Sequence, residues 1–159
     1  MDYLWSPWRF RYLESAGKTL PSCVFCIGED TRSDRERLIV HRATHSFVIL
    51  NLYPYTSGHF MVAPYAHIDR LSLASAEVLA EIMTLAQRGV AALQSLYRPD
   101  GFNIGMNLGV AAGAGIKEHI HLHVVPRWTG DANFMTVTGE TRVLPEELGV
   151  TYQRLQEAF

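Results

Sequence analysis

His119, His121 and His123 alternate with Ile120, Leu122 and Val124 in the stretch Lys117-Glu118-His119-Ile120-His121-Leu122-His123-Val124-Val125-Pro126. An extended chain repeats its side-chain direction every second residue. The spacing therefore predicts a strand with three imidazoles on one face and aliphatics on the other. Pro126 has no main-chain donor and is expected to end regular pairing. A wet strand face draws mainly on Thr, Lys, Glu and Ser. Three alternating histidines, out of seven in the chain, instead concentrate groups that donate, accept, bind metal or attack. A neutral imidazole is a nucleophile toward phosphorus and can leave again, which suits covalent group transfer.

The 159 residues are 48% hydrophobic and 19% charged, enough for one compact domain with a sizeable core. A net charge of -2 offers no general attraction to nucleic acid or anionic membrane, and no apolar run approaches spanning length. Met1-Asp2-Tyr3-Leu4-Trp5 lacks the basic leader and apolar block of a signal peptide, so a cytoplasmic protein is expected. Its two cysteines should then be reduced.

Those cysteines lie in Ser22-Cys23-Val24-Phe25-Cys26. The spacing fits half of a tetrahedral zinc site, with histidines completing it, a redox dithiol, or unliganded thiols. Ahead of them, Trp5-Ser6-Pro7-Trp8-Arg9-Phe10-Arg11-Tyr12 is an aromatic arm that would be costly to expose. It is expected to pack on the body or a second subunit, or to wall a nucleotide site. Leu38-Ile39-Val40, His45 to Leu50 and His59 to Pro64 read as strands, and Asn51 to Gly58 as a turn-rich link. Leu71 to Tyr97 is one long helical pattern, with Leu79, Ile82, Met83, Leu85, Ala86, Val90 and Leu93 recurring as core positions. Ser72 or Ser75 would cap it, and Pro99 stops it. Gly101 to Asn107 alternates like a strand, and Leu108 to Gly115 is a small-residue loop whose amides could approach an anion. A short helix is expected within Glu146 to Phe159, with Tyr152, Leu155 and Phe159 on one side. No repeat or linker divides the chain, so one domain is expected over 1–159.

His119-Ile120-His121-Leu122-His123-Val124-Val125 resembles the signature of the histidine triad family of nucleotide hydrolases and transferases. Asn51-Leu52-Tyr53-Pro54 and Gly58 to Pro64 are similar to that family's other recurring segment. Trp5 to Arg9, Cys23 to Cys26, Gly101-Phe102-Asn103, Arg127 to Met135 and Thr141 to Glu146 look like its bacterial diadenosine tetraphosphate phosphorylase branch.

The resemblance implies an α+β fold: an antiparallel sheet of about five strands with one long packed helix, commonly dimeric. It implies that His121 is the nucleophile, attacking the α-phosphorus of a dinucleoside polyphosphate, or another adenine nucleotide, to form an adenylyl-histidine. Inorganic phosphate or water would then release ADP or AMP. Positioned donors can stabilise the phosphoryl charge, so no catalytic metal is required. By the same resemblance, His123 contacts phosphate. His59 orients the nucleophile or is a satisfied structural histidine. Asn51 holds ribose hydroxyls, and Asn107 with the amides of Gly113, Ala114 and Gly115 contacts phosphates. Structural zinc would sit on Cys23, Cys26, His67 and His119; otherwise His119 faces the active site and zinc is absent.

One position departs from the pattern. Many hydrolytic members carry Gln followed by a hydroxyl residue where this chain has Gly115 and Ile116. The missing side chain opens space beside the departing phosphates, which is compatible with phosphate as acceptor. The expected reaction is phosphorolysis to ATP and ADP. Hydrolysis of adenylyl phosphoramidates or dinucleoside polyphosphates, and a non-catalytic zinc-stabilised nucleotide-binding module, are the alternatives.

Overall fold

The computed structural model describes residues 23–132 and 145–159. The aromatic arm at Trp5 to Tyr12, the segment Asn133 to Met135 and Thr141 to Leu144 lie outside the described residues. Five strands form one sheet: β1 (Ile39–Arg42), β2 (Ser46–Leu50), β3 (Phe60–Pro64), β4 (Gly101–Gly105) and β5 (Leu122–Arg127). Their order is β1-β2-β3-β5-β4, with every neighbouring pair antiparallel. Among the described residues, three helices accompany the sheet: the one-turn α1 (Asp34–Arg37), the long α2 (Ala76–Tyr97) and α3 (Leu148–Ala158).

Strands β2 and β3 are buried along their whole length. One face of the sheet, carrying Val48, Leu50, Phe60, Val62, Leu122 and Val124, packs against Ile82, Leu85, Ala86 and Leu93 of α2. The other, with Phe47, Ile49, Met61 and Ala63, is covered by Phe25. The helix thus occupies one side of the sheet and leaves the other for chemistry.

α2 begins where Ser75 accepts from the amide of Val78 at 3.3 Å. It ends at Arg98, which turns left-handed at φ 48 just before Pro99 excludes another helical residue. The helix starts at Ala76 and not at Leu71, because Leu71–Leu73 forms a separate tight turn; Ser75, not Ser72, is therefore its cap. Met83, expected in the core, is 55% exposed on the flank of the helix, whereas Gly89 lies on the buried face. Gly89 is there because a Cβ at that position would stand 2.2 Å from Phe60 Cζ. Near the start of the helix, Glu81 accepts from the amides of Thr44 and His45 in the β1–β2 turn. α3 closes the core with Tyr152 and Leu155, and the Tyr152 hydroxyl donates to the Ile39 carbonyl at 3.2 Å.

The histidine segment differs from its simplest reading in two places. Regular pairing starts only at Leu122, so His119 and His121 stand ahead of β5, outside the ladder. The Ile120 amide between them donates instead to the Ile68 carbonyl at 2.8 Å, and the rings of His67 and His119 meet edge to face at 5.2 Å. Pro126, expected to end the strand, is paired with Phe102 of β4. Pairing with β3 already ends at Val124, and the Pro126 carbonyl accepts from the Thr56 hydroxyl at 2.8 Å.

Candidate active site and metal centre

Two clusters share the face opposite α2. The first is built on β3 and β5 by register: Met61 lies opposite His123, and Gly105 of β4 opposite His123 from the other side. His59, 1% exposed, sits immediately before β3, and His121 immediately before β5.

Their hydrogen bonds determine which ring nitrogens carry protons. The His121 Nδ1 lies 2.8 Å from the main-chain carbonyl of His119. A carbonyl only accepts, so Nδ1 holds the hydrogen and the neutral ring keeps its lone pair on Nε2. The amide of Tyr55 donates to His59 Nδ1 at 3.1 Å, leaving the hydrogen on His59 Nε2. That nitrogen is 3.0 Å from His123 Nδ1. The relay therefore makes His123 Nδ1 an acceptor and His123 Nε2 a donor. Sequence resemblance placed His59 as an orienter of the nucleophile; it is His123 that its Nε2 engages. Tyr55 stacks on His59 at 4.9 Å, and the His121 and His123 rings meet edge to face at 4.8 Å.

Burial sets the acidity of these groups. It pushes the His121 imidazolium below the ordinary histidine value, with the His119 carbonyl opposing. Burial first, and the neighbouring His121 second, bring His123 down to about 4. Both rings are thus held neutral at neutral pH.

Next to His123 opens a cleft of about 400 Å³ lined by Tyr55, Asn103, Gly105, Asn107 and Ala112. His121, 5% exposed, lies edge to face against His123 and does not itself line the cleft. Asn107 lines the cleft, whereas Asn51 lies at the end of β2 with its Oδ1 engaged by the Tyr53 amide at 2.9 Å. The glycine-rich loop is narrower in its offer than three open amides. Gly113 donates to the Val110 carbonyl and Ala114 to the Gly109 carbonyl, while Gly115 makes no main-chain bond among the described residues. Left-handed glycines at 109 and 113 wrap the loop back on itself.

The second cluster brings together Cys23, Cys26, His67 and His119, whose ligand atoms all lie within 4.8 Å of one another. His67 Nδ1 is 3.2 Å from Cys26 Sγ, and His119 Nδ1 is 3.5 Å from Cys23 Sγ and 3.9 Å from Cys26 Sγ. A tetrahedral zinc with bonds of about 2.3 Å to sulfur and about 2.05 Å to nitrogen has S–N edges of about 3.5 Å. The donors fit that ion in number, type and spacing. His119 Nε2 donates to the Pro64 carbonyl at 2.8 Å, which leaves Nδ1 free to ligate. His119 thus belongs to the metal cluster by its ring and to His121 by its carbonyl.

Sequence reading singled out neither Phe25 nor Tyr55 as a site residue, and Asn103 only as part of a motif. Phe25 packs on His121 at 4.7 Å, and Asn103 accepts from Arg127 Nη1 at 2.6 Å on the rim of the cleft. The Cys-x-x-Cys frame around Phe25 was the one available signal, since it fixes where that ring must sit.

Residues 32–130 match the HIT domain family model. The chain is 40% identical to an AP-4-A phosphorylase of Mycobacterium tuberculosis, covering 98% of this chain and 83% of that protein. Among solved structures it is similar to a zinc-bound histidine triad family protein from Mycobacterium smegmatis, with a TM-score of 0.67 and 30% identity over 87% of this chain and 93% of that one. A hypothetical histidine triad nucleotide-binding protein from Sulfolobus tokodaii gives a TM-score of 0.65 and 25% identity over 86% and 91%. With its triad, sheet and buried histidine relay in place, this chain belongs to the HIT family.

Proposed function

We propose that the protein cleaves diadenosine tetraphosphate by phosphorolysis. The His121 Nε2 lone pair attacks the α-phosphorus, the bond to the bridging oxygen breaks, and ATP departs. Inorganic phosphate then attacks the adenylyl-histidine, the P–N bond breaks, and ADP leaves with the Nε2 lone pair restored. His123 Nε2–H donates to a non-bridging phosphate oxygen as charge builds there, and Asn107 holds the polyphosphate in the cleft. Gly115 and its amide extend that cradle, and Asn51 takes the ribose hydroxyls.

The observation that carries the reading is the 2.8 Å bond from His121 Nδ1 to the His119 carbonyl, which presents a neutral imidazole with its lone pair at Nε2. Phosphate is favoured as acceptor by the 40% identity to an AP-4-A phosphorylase and by Gly115-Ile116. Cys23, Cys26, His67 and His119 would hold zinc in a closed four-ligand site, where it supplies cross-linking and no open coordination position.

Product analysis of diadenosine tetraphosphate turnover with and without phosphate tests this. ATP and ADP in equal amounts, dependent on phosphate, are expected. Equal turnover without phosphate, releasing AMP, would overturn phosphorolysis. His121→Ala is expected to abolish transfer while nucleotide binding persists.

A further inference from the structure

Phe25 lies between the two cysteines of the metal cluster and is 1% exposed. Its ring rests on His121 at a centroid distance of 4.7 Å and on His119 at 5.5 Å. The turn that carries it is closed by the Cys26 amide on the Cys23 carbonyl at 3.0 Å, so ring and thiols move together. His121 also meets His123 edge to face at 4.8 Å, and its Nδ1 bonds the carbonyl of His119, whose ring is itself a member of the metal cluster. Two of these three supports, Phe25 and the His119 carbonyl, therefore lead back to the same four donors.

We propose that Phe25 is a positioning residue for His121: seated by Cys23 and Cys26, its ring holds the imidazole against the His119 carbonyl with Nε2 toward the polyphosphate. This deepens the reading of His121 as nucleophile and rests on it. An imidazole anchored at one atom still rotates about χ2, which is broad and roughly two-fold for histidine. The Nδ1 bond to the His119 carbonyl selects between the two half-turns, and the Phe25 ring, tilted 38° to the imidazole at 4.7 Å, limits the plane in which that bond is made; an aliphatic side chain of similar volume fills the space without defining a plane. Phe25 also packs with Ile39, Phe47 and Met61 in the second core cluster, so a purely structural role predicts lost stability alone.

The test uses the full chain loaded with zinc and isotope-labelled at histidine nitrogens. Long-range proton–nitrogen correlations at neutral pH report which His121 nitrogen bears the hydrogen, without substrate. The wild type is expected to show one tautomer, protonated at Nδ1. Phe25→Leu is expected to retain zinc, to show a mixture of His121 tautomers, and to lower kcat about tenfold or more with KM within about threefold. Phe25→Tyr, which keeps the ring, should restore the single tautomer and the rate. A Phe25→Leu protein with the wild-type His121 spectrum and kcat within about twofold would overturn the proposal. Phe25→Met serves the same comparison should Phe25→Leu not fold. If His121→Ala still turns substrate over, the nucleophile reading fails, and the histidine spectra still decide whether Phe25 orients the ring.

Discussion

The states of the site imidazoles trace to main-chain groups that cannot change their own, directly for His59 and His121 and through His59 for His123. The Tyr55 amide can only donate and the His119 carbonyl can only accept, so the tautomers of His59, His123 and His121 follow. Loss of His59 is expected to matter through His123. His59→Ala should lower kcat about tenfold, the kinetic equivalent of roughly 1.4 kcal/mol for one oriented hydrogen bond. His59→Gln, whose amide can again donate to His123 Nδ1, should recover much of it; steady-state kinetics on the two variants check this. His123 also makes stability depend on pH. Its folded value of about 4 lies below the 6.5 of the free side chain, so the unfolded chain takes up the proton first. That contribution is complete above pH 6.5 and is lost as pH falls toward 4. Denaturant midpoints measured across that window should fall with pH, and fall less steeply in His123→Asn.

Among the elements, α2 shows how closely helix and sheet approach. Replacing glycine by alanine inside a helix ordinarily gains about 1 kcal/mol. At Gly89 the added methyl would lie 2.2 Å from the tip of Phe60, a ring with 0% exposure and nowhere to withdraw. Overpacking of that kind costs about 1–3 kcal/mol and outweighs the propensity gain. Gly89→Ala is therefore expected to be net destabilising in thermal unfolding. Ser75→Ala, which removes the cap on the same helix, should cost about 1 kcal/mol without touching the sheet. The helix was legible because its apolar positions recur every three or four residues. Its buried Gly89 and exposed Met83 were not, since hydropathy says which residues prefer the interior and nothing about how near the next layer stands.

At the scale of the whole molecule, a zinc ion on the four donors would tie residues 23 and 26 to His67 and to His119, across separations of 41, 93 and 96 positions. Cross-linking over such distances would contribute on the order of 3 kcal/mol, or roughly 6–12 °C in a chain this size. Chelation of the zinc-loaded protein should lower Tm by that amount, and Cys26→Ser should show the low Tm with or without added zinc. By itself the sequence determined that strands would alternate, that one long helix would cover them, and that three histidines and a cysteine pair were the candidate site residues, because period, propensity and residue type are local properties. Their division of labour was decided only by the tertiary structure. The seating of the His119 ring against Pro64 turns its Nδ1 to the cysteines and leaves its carbonyl to His121. The fold of residues 109–114 spends the Gly113 and Ala114 amides within their own loop, and the packing of the sheet lays Phe25 on the His121 ring. The seating of His119 and of Phe25 depends on contacts between residues far apart in the chain, which no local pattern encodes.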